Sequence, residues 1–228
     1  MTKMKKKHRL GCEQLETRDL MAGNVTVSFT SSRILIKGDN AANDVWVTSD
    51  NSGVNRIENV GGTVNGKNQA LTFSVKERLL TINTDGGADT IHVQGTSSRR
   101  MQLELLLIGS DDAGPEGRDK IFMNYVNVAS DGGNAAIILT GSANYSDTVS
   151  IKNTTIKGGM GIGTGKGNDR VTMENVRVGE DLRVFLEDGD DELIRTDVFF
   201  AEGLLDGGNG ADTSTRKGGS AAQTFKNF

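Results

Sequence analysis

Apolar residues along the chain fall in short alternating runs. Val149 and Ile151 alternate with polar neighbours, as do Val171 and Met173. A period of two marks strands with one buried face. Each run follows a Gly-rich turn and an aspartate. The copies are GDNAANDVWV (38–47), DGGADTIHV (85–93), GPEGRDKIFM (114–123), GSANYSDTVSI (141–151), GTGKGNDRVTM (163–173), EDGDDELI (187–194) and DGGNGADTST (206–215). The recurring acids are Asp44, Asp89, Asp119, Asp147, Asp169, Asp191 and Asp212. The last four are spaced 22, 22 and 21 residues apart, the earlier ones 45, 30 and 28.

Other positions share this register. Two residues past the aspartate stand Ile91, Ile121, Val149, Val171 and Leu193; four past stand Val93, Met123, Ile151 and Met173. Six past comes a polar column, Asn153, Asn175 and Asp197, beyond which the apolar parity changes, as at a corner. Thirteen past come Met160, Leu182 and Leu204, and fifteen past Ile162 and Val184. The spacing predicts an all-β fold: a right-handed parallel β-helix (solenoid) of about 22-residue coils, each with three short strands and three bends. A sandwich of repeated hairpins explains the alternation but not several columns in one register.

Residues 24–84 fit this register less well and predict an N-terminal β cap. Residues 85–216 predict the solenoid, and 217–228 a polar C-terminal tail. Ser214 and Arg216 occupy the slots of Val171 and Met173, so the last coil is polar. Hydrophobic residues make up 35% of the chain and 30 residues are Gly against one Pro, which favours tight turns over a compact α/β enzyme. Stacked Asn153 and Asn175 predict an amide ladder inside a bend, with Asp197 breaking or capping it.

Residues 1–23 form a basic leader. Lys3, Lys5, Lys6, Lys7, Arg9 and Arg18 outnumber its acids, whereas the body is acidic and the whole chain carries −4. That balance points away from nucleic acid. Cys12 is the single cysteine, so no internal disulfide forms, and no apolar run is long enough to span a bilayer. Leu10-Gly11-Cys12 lacks the apolar stretch of a lipidation signal. Leu15-Glu16-Thr17-Arg18-Asp19-Leu20-Met21-Ala22 resembles the core of the LEPR-XLL domain, a short leader of exported planctomycete proteins, with Thr17 in place of Pro. The resemblance implies an extracellular or cell-envelope location.

The turns GGNGAD (207–212) and GKGNDRV (165–171) resemble the hemolysin-type (RTX) Gly/Asp repeat, which implies bound Ca²⁺. RTX units recur every nine residues rather than 22, so their ion geometry does not carry over. Stacked coils would set like charges about 4.8 Å apart. Their repulsion is worth roughly 3–4 kcal/mol at an effective dielectric near 20 and under about 1 in water. Two readings stay open. Ca²⁺ could be held by Asp169, Asp188, Asp190, Asp191, Asp206 and Asp212. Alternatively, each carboxylate accepts hydrogen bonds from its own turn.

Enzymatic chemistry finds little footing. Asn83-Thr84-Asp85 with Asp111-Asp112 resembles the acid set of polygalacturonase-type hydrolases, but the G-H-G and R-I-K motifs of that family are missing. Arg183 and Arg195 are available as lyase bases, yet basic residues on outer faces are expected anyway. GMGIGTGKG (159–167) lacks the residues of a phosphate loop and reads as a turn. The expectation is an exported, non-enzymatic structural or adhesive protein facing cell-surface or matrix polymers. The alternative is a carbohydrate-binding or degenerate carbohydrate-active β-helix, for which Trp46, Tyr125, Tyr145, Phe199 and Phe200 are the aromatic candidates.

Overall fold

A computed structural model describes residues 23–73, 79–110, 117–130, 133–141, 144–221 and 224–228. The basic leader up to residue 22 and the Asp111-Asp112 pair lie outside these. The described residues form strands and turns only, arranged in a ten-stranded and an eleven-stranded sheet. From Arg33–Lys37 onward, neighbours in the ten-stranded sheet pair parallel. So do those of the eleven-stranded sheet from Asp44–Ser49 onward. This arrangement is consistent with a β-helix.

The shared register is borne out. Val45, Ile91, Ile121, Val149, Val171 and Leu193 are successive Cα partners in one row, each fully buried. Val47, Val93, Met123, Ile151 and Met173 form the next inward row. Facing them across the core stand Leu80, Leu106, Ala136, Met160 and Leu182, and beside these Ile82, Ile108, Ile138, Ile162 and Val184. Each such burial is worth about 1.5–3 kcal/mol. No single repeat has a second apolar layer of its own, so stability is shared between neighbours.

The polar column six past the aspartate is a corner. Tyr125, Asn153, Asn175 and Asp197 have φ of 53°, 47°, 52° and 53°. A left-handed residue there turns the chain and switches its inward parity. The nine-residue strand Thr148–Ile156 therefore buries Val149 and Ile151 before Asn153, and Thr154 and Ile156 after it. Asn tolerates this conformation better than most side chains. Side-chain hydrogen bonds run along the column: Asn175 Nδ2 donates to Asn153 Oδ1 at 2.9 Å, and Asn153 Nδ2 to Oδ1 of Asn124, the residue before Tyr125, at 3.1 Å. The ladder runs outside the bend, because Asn175 is exposed. It joins side chains to one another rather than to buried backbone groups.

Two sequence expectations shift by one position or one face, and a third concerns a turn. Asp44 is outside the aspartate column: it pairs with Thr90, so Asn43 takes the place equivalent to Asp89. Leu204 pairs with Arg183 and lies on the outer side, while Gly203 and Leu205 face in. The last repeat is one residue shorter, and a one-residue slip exchanges the faces of a strand. Of residues 159–167, read as a turn, Gly159–Gly163 is a strand that buries Met160 and Ile162 as their columns required.

The ends differ from the middle. At the N-terminal end, Asn24–Phe29 pairs antiparallel with Arg33–Lys37, and Asn55–Asn59 antiparallel with both Asp44–Ser49 and Leu71–Phe73. At the other end Ser214 and Arg216 continue the inward rows of Leu193 and Arg195. The row of Met173 thus loses its apolar character at Arg195, one repeat before the polar last coil, while the row of Val171 keeps it through Leu193. An Asn153→Val substitution should cost about 1–2 kcal/mol in urea unfolding, the penalty of a β-branched residue at left-handed φ, whereas Asn153→Gly should cost less than half of that.

Candidate functional site

The feature that most repeats along the molecule is an internal column of aspartates. Asp89, Asp119, Asp147, Asp169 and Asp191 are 1–4% exposed, and Asp212 is half-buried. Each sits just before the strand that begins a repeat, where the chain turns inward. Its Oδ1 accepts the backbone N–H of the equivalent residue one repeat earlier. Asn43 N donates to Asp89, Asp89 N to Asp119, Asp119 N to Asp147, Asp147 N to Asp169, Asp169 N to Asp191 and Asp191 N to Asp212. All six bonds are 2.7–2.8 Å long. The donors are main-chain groups of the neighbouring repeat, not of the same turn as one of the two sequence readings had it.

A second column faces the first. Thr84, Ser110, Thr140 and Thr164 follow the strands of the ten-stranded sheet and are all buried. Thr140 Oγ1 donates to the carbonyl of Thr164 at 3.1 Å, again between repeats. The row ends at Leu186, which is fully buried. Asp191 therefore has no hydroxyl opposite it.

Four of these carboxyls are expensive to ionise. Burial pushes Asp89 up to about 7, Asp119 to about 8, Asp169 to about 7 and Asp191 to about 6. The accepted backbone bonds oppose the shift in every case, as do the hydroxyls of Thr84, Ser110 and Thr164 at the first three. Carboxylate neighbours within the column push the same way as burial at Asp119, Asp169 and Asp191. Oδ2 of Asp89, Asp169, Asp191 and Asp212 has no well-aligned hydrogen bond. A proton there removes the charge and leaves Oδ1 free to accept.

The six acids weighed as calcium ligands divide between two environments. Asp169, Asp191 and Asp212 belong to the internal column. Asp188, Asp190 and Asp206 belong to the outer turns, where each already accepts hydrogen bonds between repeats. Asn209 Nδ2 reaches Asp188 Oδ1 at 2.8 Å, Ala211 N reaches Asp190 Oδ1 at 2.9 Å, and Asn227 Nδ2 reaches Asp206 Oδ1 at 2.8 Å. Asn209, and then Lys166 at 3.3 Å, hold the Asp188 carboxyl below the usual range. Gly189 and Gly210 stack in these turns so closely that a Cβ would lie 1.6 Å from the carbonyl oxygen of the glycine below. Among the described residues, no group of three or more His, Cys, Asp or Glu is placed to hold a metal ion.

The hydrolase-like residues are also distributed. Thr84 is in the hydroxyl column, and Asp85 lies 3.6 Å from Lys37. His92 stacks between Trp46 and Phe122, with ring centroids 3.6 and 4.8 Å apart. Burial lowers its pKa, against the pull of Asp44. The stack runs from strand to strand along the outer face, so inner ring faces meet each other. Phe200 is buried, whereas Phe199 is exposed beneath Arg177, 4.8 Å from its ring centroid. Arg195, expected on an outer face, points inward and is 3% exposed.

Sequence reasoning found the recurring aspartates but not their direction. The hydroxyl column was missed, because Thr84, Ser110, Thr140 and Thr164 are small and their spacing is irregular. Their shared place just before each Gly-rich turn was the available signal. Comparison of the chain with protein families, with curated proteins and with solved structures gives no match.

Because the folded state retains these protons above the ordinary carboxylate pKa, their contribution is fully present below about pH 4 and is lost as pH rises through 6–8. Melting temperature should therefore fall between pH 5 and 9, the reverse of ordinary acid lability, as read by circular dichroism. An Asp169→Asn chain keeps an acceptor and a donor without titrating, so its melting point should depend less on pH. Asp169→Ala leaves the Asp147 N–H unpaired and should cost about 1–3 kcal/mol at pH 5.

Proposed function

We propose that the chain is a right-handed β-solenoid exported to the cell surface or matrix, where it serves as a non-enzymatic structural or adhesive element. The observation that carries this reading is that the recurring acids are consumed in hydrogen bonds between repeats. What repeats along the molecule is thus a device for stacking, and the variable side chains stand on its flat outer faces. The eleven-stranded sheet shows the same economy in ion pairs between strands, Lys152 with Glu174 at 2.9 Å and Arg170 with Glu192. Among the described residues no helix is long and apolar enough to cross a membrane.

The likeness of residues 15–22 to the LEPR-XLL leader supports export, and polymers of the envelope or matrix are the partners that suit a long polar face. The aromatic arrangement favours this over the carbohydrate-active reading, since sugars stack on open ring faces and the Trp46, His92 and Phe122 rings cover one another. Calcium has less support than the hydrogen bonds, because each candidate carboxylate has a donor at Oδ1.

Two measurements test the reading. A tagged chain produced in a planctomycete host should be recovered from the envelope or medium, and deletion of residues 1–22 should retain it in the cell. Cell-internal recovery of both forms would refute export. Melting in millimolar Ca²⁺ and in excess chelator should give the same midpoint; a rise of several degrees with Ca²⁺ would make the ion part of the fold.

A further inference from the structure

The outer face of the ten-stranded sheet differs from that of its partner. It carries Leu35, Leu79, Leu105, Leu107, Ile137 and Leu139 across four neighbouring strands. Leu139 is 52% exposed and Phe185, two strands further on, 41%. Between and beside these projections the face is recessed. Gly161 and Gly163 occupy the two outward positions of the strand between Ile137–Leu139 and Phe185, and Gly109 the one below Leu139. Gly109, Gly163, Leu139, Leu107 and Asn83 line a groove of about 480 Å³. A Cβ on Gly109 or Gly161 would meet nothing within 4 Å, so the space above them is open.

We propose that this face is an interface between two copies of the chain, related by a twofold axis that runs along the strands between Asn134–Leu139 and Gly159–Gly163. A twofold interface requires that if one residue meets a second, the second meets the first. This axis keeps each column of side chains on itself and reverses the strand order. Leu139 of one copy then stands over Gly163 of the other, Ile137 over Gly161, and Phe185 over Gly109. These three projections meet glycine recesses from one operation, and the reciprocal contacts follow by symmetry. Leu105 and Leu107 lie opposite Asp181 and Arg183, which stay paired with each other at 2.9 Å, and Leu79 lies opposite Glu202.

Charge complementarity agrees with the reversal. The N-terminal rim of the face carries Arg33 and Lys37, the C-terminal rim Glu202 and Asp206. Reversed strand order sets the two cations within one strand spacing, about 4.8 Å, of the two acids of the other copy. Asn83 then lies opposite Asp206. Lys37 also meets Lys226 at the outermost edge, where Asp85 and Asp206 flank them. The size reaches the lower end of the stable range. Eight strands of about five residues cover roughly 600 Å² in plan, so two faces bury about 1,200 Å² in total, against about 1,200–2,000 Å² for stable interfaces. The inference is independent of where the protein resides and of what polymer it meets.

Sedimentation velocity on the full chain tests it. Wild type should dimerise at micromolar concentration. Leu139→Glu should raise the dissociation constant about thirtyfold or more, the scale of a lost central anchor, with a melting point near that of wild type. Gly161→Gln, which fills a recess instead of removing a projection, should do the same. In a Cys12→Ser background, G109C chains mixed with F185C chains should yield a covalent dimer with a short bismaleimide, and either alone should not. A wild type that stays monomeric to about 100 µM would overturn the proposal. So would a dimer that both substitutions leave intact, or cross-linking that does not need both cysteine chains.

Discussion

The structure depends on a carboxyl oxygen accepting a main-chain N–H from the neighbouring repeat. Sheet hydrogen bonds already join the strands, but they end where the strands end. At the bend before each new repeat the backbone turns inward, and its N–H points along the stacking direction with no carbonyl above it. A short side chain with an acceptor two bonds from Cβ supplies the missing partner. Six such bonds in line make the bend as continuous as the sheets beside it. A buried donor left unmade costs about 1–3 kcal/mol, so the column carries weight out of proportion to its six side chains.

Aspartate performs this task at a cost that asparagine would avoid. Asn43 stands at the head of the column, where its Nδ2 donates to the carbonyls of Asp39 and Ala41. At Asp89, Asp169 and Asp191 the second oxygen has no well-aligned hydrogen-bond partner among the described residues, and a proton on the carboxyl is the alternative. The proton also removes the repulsion that stacked carboxylates would create. Burial therefore favours the neutral form at Asp89, Asp119, Asp169 and Asp191, while the acids of the outer turns bond to amides, main chain and Lys166. One composition, rich in Asp and Gly, thus covers two chemistries separated by a few residues.

The chain announced its register well. Val149, Val171 and Leu193 lie in one row because side chains separated by a constant number of residues recur with the same polarity. The corner at Asn153, Asn175 and Asp197 was visible as a change in parity. What the sequence concealed was direction. An aspartate beside a glycine turn looks solvent-facing on composition alone, since a lone buried carboxylate is costly, and nothing in one sequence shows that a main-chain N–H lies 2.8 Å away. Leu204 was misplaced for a related reason: the single residue dropped before Glu202 reverses faces, and a gap has no signature until the partner strand is seen. Arg195 was assigned outward on charge, whereas its register with Met173 required the inside. Burial, and then Arg216, lower its pKa, and its Nε and Nη1 find no acceptor among the described residues. One of the two apolar rows of this sheet thus ends in cations, Arg195 and Arg216, and inward-pointing charge is one way an open sheet end is kept from adding further strands.

The most direct measurement is the scalar coupling that crosses a hydrogen bond in nuclear magnetic resonance. In uniformly labelled protein at pH 5, the amide nitrogen of Asp147 should correlate with the side-chain carboxyl carbon of Asp169, and that of Asp169 with the carboxyl carbon of Asp191. Spectra in which the sheet amides show their expected couplings while these two correlate with no carboxyl carbon would contradict the account.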